Sequence, residues 1–278
     1  MLGLHVAILG SNTIRFRLVL EKCAQRHIPL KPWVELFVNG RFLNHIVPQA
    51  GNVYRSVELK ERYGVPHTRY LTTLVAVAWL STALNLLLVV ALIVGLDPSF
   101  QLGAWPAWWI VLALWGAVVL GPFVARSILA SVRSADGRLG WAQRRINEVL
   151  DVATDSALDR SWLLKVLGLS FIVFVLATAN VALCFTALGQ PALIGESALF
   201  YSVLQISNIV KLTPGNLGAQ ELAFGVLGSH ATVGMSEGIL ASGLFRVGAM
   251  AVLAALALPL GARQLLKPDS RSKVNDDA

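Results

Sequence analysis

The sequence predicts an all-α fold: a polytopic transmembrane helix bundle with two broken, re-entrant helix motifs related by a weak internal repeat. Three observations lead there. The 278 residues are 55% hydrophobic and 14% charged, with a mean hydropathy of +0.64; ordinary soluble domains are roughly 45–50% apolar and about 25% charged. Several apolar runs exceed the about 20 residues that a helix needs to cross a hydrocarbon core about 30 Å thick. Two less apolar stretches are interrupted by proline and glycine at matching places. No stretch rich in Ser, Pro or charge is long enough to join two folding units. Residues 1–262 therefore read as one transmembrane domain, with 130–161 a cytoplasmic surface loop and 263–278 a disordered cytoplasmic tail.

Taken in order, residues 1–20 are the hardest to place. The apolar run Met1 to Leu9 is too short to span, and Arg15 and Arg17 follow it, so it reads as the end of a helix whose start is missing. A signal peptide is excluded, because the charges follow the apolar run and no small-residue cleavage pattern is present. Trp33 to Val47 is a moderately apolar helix. Tyr70 to Leu96, Trp105 to Leu129 and Trp162 to Leu188 are full spans. Ala192 to Leu212 is long enough to cross but is wetter, through Glu196, Gln205, Asn208 and Lys211. Gly238 to Ala262 is a span with Arg246 in its interior.

Loop charge orients these elements. The connection from Arg126 to Lys165 carries seven basic residues, whereas the loop after Leu96 offers Asp97 and none, so the former faces the cytoplasm. The C-terminal tail then also lies inside. Between Gly140 and Leu158 apolar residues recur at helical spacing, which fits an amphipathic helix on the inner surface or a soluble connector helix.

Composition also excludes function classes. The net charge of +7 falls in loops and tails rather than on one soluble face, so nucleic acid is not an expected partner. Cys23 and Cys184 form no CxxC pair, and the five histidines, read as loop or packing residues, have no metal-ligand spacing, so neither a metal nor another cofactor is expected. No phosphate-binding loop of the G-x-x-x-x-G-K-[ST] type occurs. The acids Asp136, Asp151, Asp155 and Asp159 read as a solvated helix face rather than a catalytic pair, so the chain is not expected to be an enzyme.

The repeat joins PQAGNVYR at 48–55 to PGNLGAQE at 214–221. Each follows a moderately apolar helix and precedes a short helical piece. A turn comes next, at Gly64-Val65 or Val233-Gly234, and a long span begins about 22 residues past the proline. Non-helical backbone at membrane depth costs several kcal/mol per unpaired group unless it lines a wet cavity. A retained break thus predicts a polar cavity, into which the first N–H groups of the helix after Gly218 would point, an arrangement suited to phosphate. Arg246, mid-span, needs a partner, and Glu221 is the natural one. Two readings stay open: Arg246 and Arg55 bind phosphate, with Glu221 holding an arginine or meeting a cationic head group, or Glu221 and Arg246 only fix packing. Arg41 and Lys211, near helix ends, are expected to snorkel to the interface.

The segments LNHIVPQAGNVYRSVELKERYGV and TPGNLGAQELAFGVLG, followed by LFRVG, resemble the flippase-like family named for the membrane domain of lysylphosphatidylglycerol synthase. That family has an early P-x-x-G-E-x-x-R motif, a late P-x-x-x-G-x-x-E motif and an arginine in the following span. The resemblance matches Pro48, Gly51 and Arg55 to the early motif, Pro214, Gly218 and Glu221 to the late one and Arg246 to the span arginine; with the reading of the breaks above, the helix-break motifs are expected at Pro48, Gly51, Pro214 and Gly215, and the head-group or phosphate site at Asn52, Arg55, Gly218, Gln220, Glu221 and Arg246. Asn52 replaces the family's acid. The acid-arginine pair of the next span is also missing, with Val77 and Ala78 near its position. The resemblance implies a cell-membrane protein that moves a phospholipid or polyprenyl-phosphate-linked lipid between leaflets. The alternative is a non-transporting anchor for a lipid synthase or glycosyltransferase.

Overall fold

The computed structural model describes residues 1–96, 98–131, 140, 144, 147, 159–190, 193–209 and 216–265. These residues are helical apart from turns and a two-residue antiparallel ribbon. The amphipathic segment expected at 140–158, and Asp136, Asp151, Asp155, Lys211, Pro214 and Gly215, lie outside the described residues, except for Gly140, Arg144 and Asn147 in the first.

Helix α1 runs Leu2–Ala24, α2 Leu30–Ile46, α3 Ala50–Tyr63 and α4 His67–Leu96. The ribbon β1 Gln101–Leu102 and β2 Trp105–Pro106 turns the chain into α5, Ala107–Ser131. Then come α6 Arg160–Ala187, α7 Ile194–Ile209, α8 Ala219–His230 and α9 Met235–Leu265. Four of these are long and apolar enough to cross a membrane: α4, α5 over Ala107–Ile128, α6, and α9 over Met235–Leu260.

Arg15 and Arg17, which follow the short apolar run, lie inside the first helix. Helix α1 continues through both for 23 residues, about 35 Å, because Arg15 finds polar partners inside the bundle and Arg17 pairs with Glu21 one turn on. Of the stretch Ala192 to Leu212, residues 193–209 are described, and Ile194–Ile209 form α7, 16 helical residues or about 24 Å long.

Local chemistry explains several boundaries. Helix α3 ends at Gly64, whose φ of 66° is left-handed; its N–H bonds Lys60 O while the Val65 N–H bonds Leu59 O. Helix α6 starts at Asp159, which caps the Trp162 N–H at 3.1 Å and pairs with Lys22 at 3.1 Å. The Trp162 N–H and the Lys22 ammonium together hold the Asp159 carboxyl below its usual range. Buried Glu196, at the start of α7, accepts the Thr232 N–H at 2.9 Å and the Thr232 hydroxyl at 2.8 Å, which ties α7 to the α8–α9 turn.

The repeat is visible in three dimensions. Exchanging α1–α4 with α6–α9 maps the packing onto itself: α1 on α6 is its own counterpart, α4 on α7 matches α9 on α2, and α1 on α4 matches α6 on α9. Helices α1 and α6 are antiparallel, since His5 meets Asn180, Arg15 meets Ser170 and Lys22 meets Asp159. The two halves are therefore inverted relative to one another, and α5 supplies the odd crossing that inversion requires. One apolar core, around Phe185, Phe200 and Phe224, fills the end near α7 and α8; a second, around Phe16, Trp33 and Leu59, fills the opposite end near α2 and α3. Between them lies a polar layer.

Candidate functional site

Each broken motif is built differently. In the first, Val47 is extended and Gln49 is left-handed at φ 63°, so the chain turns sharply from α2 into α3. Asn44 of α2 accepts the Gly51 N–H at 2.8 Å, which satisfies one of the donors exposed by the break. Gly51 is required because a Cβ there would lie 1.6 Å from the Gly40 carbonyl oxygen, so the two backbones touch. In the second motif, Gly218 takes φ 84° and begins α8. Its N–H is accepted by Glu221 Oε2 at 2.8 Å.

That N–H serves a carboxylate of the same chain. Glu221 spans two partners: its other oxygen, Oε1, pairs with Arg246 Nη1 at 2.5 Å. Arg246 also donates to Asn216 O at 3.1 Å and is 9% exposed. Glu221 thus links the start of α8 to the middle of α9.

Arg55 is 4% exposed. Its Nε donates to Gly51 O at 3.2 Å and its Nη2 to Asn52 Oδ1 at 2.6 Å. The guanidinium sits over Phe16, Phe37 and Tyr70, at 5.7, 5.2 and 6.0 Å from the ring centroids, an arrangement that stabilises a cation without neutralising it. Asn52 therefore occupies the place of a counter-ion while carrying no charge.

Both motifs face a cavity of about 760 Å³. Asn52, Arg55, Gln220 and Arg246 line it; Gly218 and Glu221 stand behind Arg246, and Gly51 fixes the α2–α3 contact. Val77 and Ala78 form part of an apolar wall with Leu71, Leu74 and Val75 of α4. Leu71 and Val75 are also exposed, so the cavity is open along this apolar helix.

Several lining residues were not anticipated. Arg15 is 7% exposed and donates to Asn12 Oδ1 at 2.6 Å and Ser170 Oγ at 3.1 Å. Arg41, expected to snorkel, instead lines the cavity, half-buried with its guanidinium 5.7 Å from the Phe37 centroid. His5 is buried, with Nε2 3.0 Å from Phe245 O and Nδ1 2.9 Å from Asn180, so it both packs and lines. The signal for Arg15 was present: it is an arginine in an apolar helix, as Arg246 is. Among the described residues, no group of three His, Cys, Asp or Glu could hold a metal ion.

A helical bundle in which inverted broken-helix repeats enclose a cationic cavity, open along an apolar flank, is a polytopic membrane protein of the lipid-handling class. The model of the family described as the lysylphosphatidylglycerol synthase TM region matches residues 1–257, nearly the whole chain, and the chain belongs to that family. Comparison with curated proteins and with solved structures finds no match.

Proposed function

We propose that this protein is a flippase-like transporter that carries a phospholipid or polyprenyl-phosphate-linked lipid from one leaflet to the other. The observation that carries this reading is the arginine-lined cavity at the junction of the two inverted repeats, continuous with the apolar α4 wall. A head-group phosphate enters among the guanidiniums, whose forked donors match its oxygens, while the acyl or prenyl chain stays against α4. Rocking of one repeat against the other exposes the site to the opposite leaflet. In this mechanism Arg55 and Arg246 bind phosphate and Glu221 positions Arg246.

The protein sits in the cell membrane with its C-terminus in the cytoplasm. The end of the bundle that holds the α1–α2 turn, the α3–α4 turn and the start of α6 carries basic residues such as Arg26, Arg62, Arg69 and Arg160, and residues 98–106, 188–190 and 231–234 at the other end contain no Lys or Arg. We assign no catalysis to it: Asp159, the described member of the acidic set, is occupied in capping α6 and pairing with Lys22.

A non-transporting anchor for a lipid synthase or glycosyltransferase is the second reading. It is favoured by Asn52 and by Val77 and Ala78, which leave the first repeat without the charges of the second. Fluorescent-lipid exchange in proteoliposomes separates the two. Transport predicts parent activity that falls at least tenfold in folded Arg246→Ala and Glu221→Gln proteins. Equal exchange in parent, variants and empty liposomes would remove the transport reading.

A further inference from the structure

The cavity is more cationic than a single phosphate diester requires. Arg15, Arg41, Arg55 and Arg246 all line it, and among the described residues Glu221 is the one carboxylate paired with any of them. Four guanidiniums against one carboxylate leave a formal charge of +3. Arg15 and Arg55 are more than nine-tenths buried, and the described groups that accept from them are neutral. The Nε of Arg15 and the hydroxyl of Thr82, another lining residue, are buried without a partner among the described residues. Buried cations without counter-ions are unfavourable, and an anion that brings several oxygens relieves both the charge and the unmade hydrogen bonds.

Resting on the lipid-transport reading above, we infer that the ligand is a lipid whose head group carries two or more negative charges and no ammonium group: a phosphate monoester or diphosphate on an apolar chain. A monoester supplies about −1.5 to −2 at neutral pH. Zwitterionic and aminoacylated head groups are rejected, since their ammonium would enter an uncompensated cationic field. The open flank at Leu71 and Val75 selects the lipid over free diphosphate, which shares the head-group chemistry.

Binding to protein in nanodiscs of zwitterionic lipid tests this, read by native mass spectrometry with phosphatidic acid, a polyprenyl diphosphate, phosphatidylglycerol, lysylphosphatidylglycerol and inorganic diphosphate as probes. Phosphatidic acid and the polyprenyl diphosphate are expected to bind at least about tenfold more tightly than phosphatidylglycerol, with lysylphosphatidylglycerol at background. Two variants lower the cavity charge by one. Arg41→Gln removes a half-buried cation, and Asn52→Asp adds a carboxylate of nearly unchanged shape beside Arg55; each is expected to weaken the polyprenyl diphosphate about tenfold in monodisperse protein. Binding of lysylphosphatidylglycerol or phosphatidylglycerol as strong as that of the diphosphate lipid would overturn the charge selection and leave the lipid reading standing. Inorganic diphosphate binding as tightly as the polyprenyl diphosphate would instead remove the lipid reading and keep an anion site. Background binding of every probe would sink both.

Discussion

Gly51→Ala is the sharpest test of how the first repeat holds its arginine. The added Cβ would lie 1.6 Å from Gly40 O, 2.5 Å from Gly40 C and 2.9 Å from Gly40 Cα, all backbone atoms that cannot rotate away. A close but tolerable C···O contact is about 3.3 Å, so α3 must retreat from α2 by about 1.7 Å. That movement stretches the Gly51 N–H to Asn44 bond from 2.8 Å to beyond hydrogen-bonding range and carries Arg55 away from Phe16 and Phe37. Overpacking costs about 1–3 kcal/mol and the lost hydrogen bond about 1 kcal/mol more, giving about 3 kcal/mol in all. At about 2–4 °C per kcal/mol for a chain of this size, the thermal midpoint should fall by roughly 6–12 °C. Polyprenyl diphosphate binding should weaken in parallel. The control is Gly116→Ala in α5, where nothing lies within 4 Å of the new Cβ; it should be neutral or slightly stabilising. A Gly51→Ala protein with the parent's midpoint and undiminished lipid binding would refute the claim that backbone contact between α2 and α3 positions Arg55.

Further outcomes follow from the same geometry. Gly228→Ala would place a Cβ 2.2 Å from Gly234 O, so it should destabilise the α8–α9 hairpin as strongly as Gly51→Ala does the first motif, measured by thermal unfolding in detergent. Phe200→Ala removes a fully buried ring packed at a tilt between Phe185 and Phe224 and should cost about 3–5 kcal/mol, read from the same unfolding experiment against Phe200→Leu. Asp159→Asn keeps the cap acceptor but loses the charge. Because the folded carboxyl titrates below its usual range, its stabilising effect is present above the unfolded pKa of about 3.9 and fades as pH falls through the lower folded value. The difference in midpoint between parent and variant should therefore be clear at neutral pH and shrink progressively as the pH falls below about 3.9; a difference unchanged by acidification would contradict this. Cys23 and Cys184 are 2% and 0% exposed, so maleimide labelling of the folded protein should be slow and should accelerate on unfolding.

The four long apolar spans, the turn at Gly64, the paired helix breaks and the Glu221–Arg246 pair were all legible in the sequence. Each rests on chain-local chemistry or on the bilayer's demand that every charge and backbone break have a partner. What only the tertiary structure decided is which residues meet. Arg15 was not expected to line a site, because its stabilising partners are Asn12 on its own turn and Ser170, far along the chain. Arg41 looked like an interfacial residue because nothing local says that α2 faces a cavity. Sequence spacing reports how residues are arranged along one helix, whereas the cavity's charge depends on how α1, α2, α3 and α9 from two inverted halves are brought to one place. That is set by packing between elements far apart in the chain, which periodicity along a single helix does not encode.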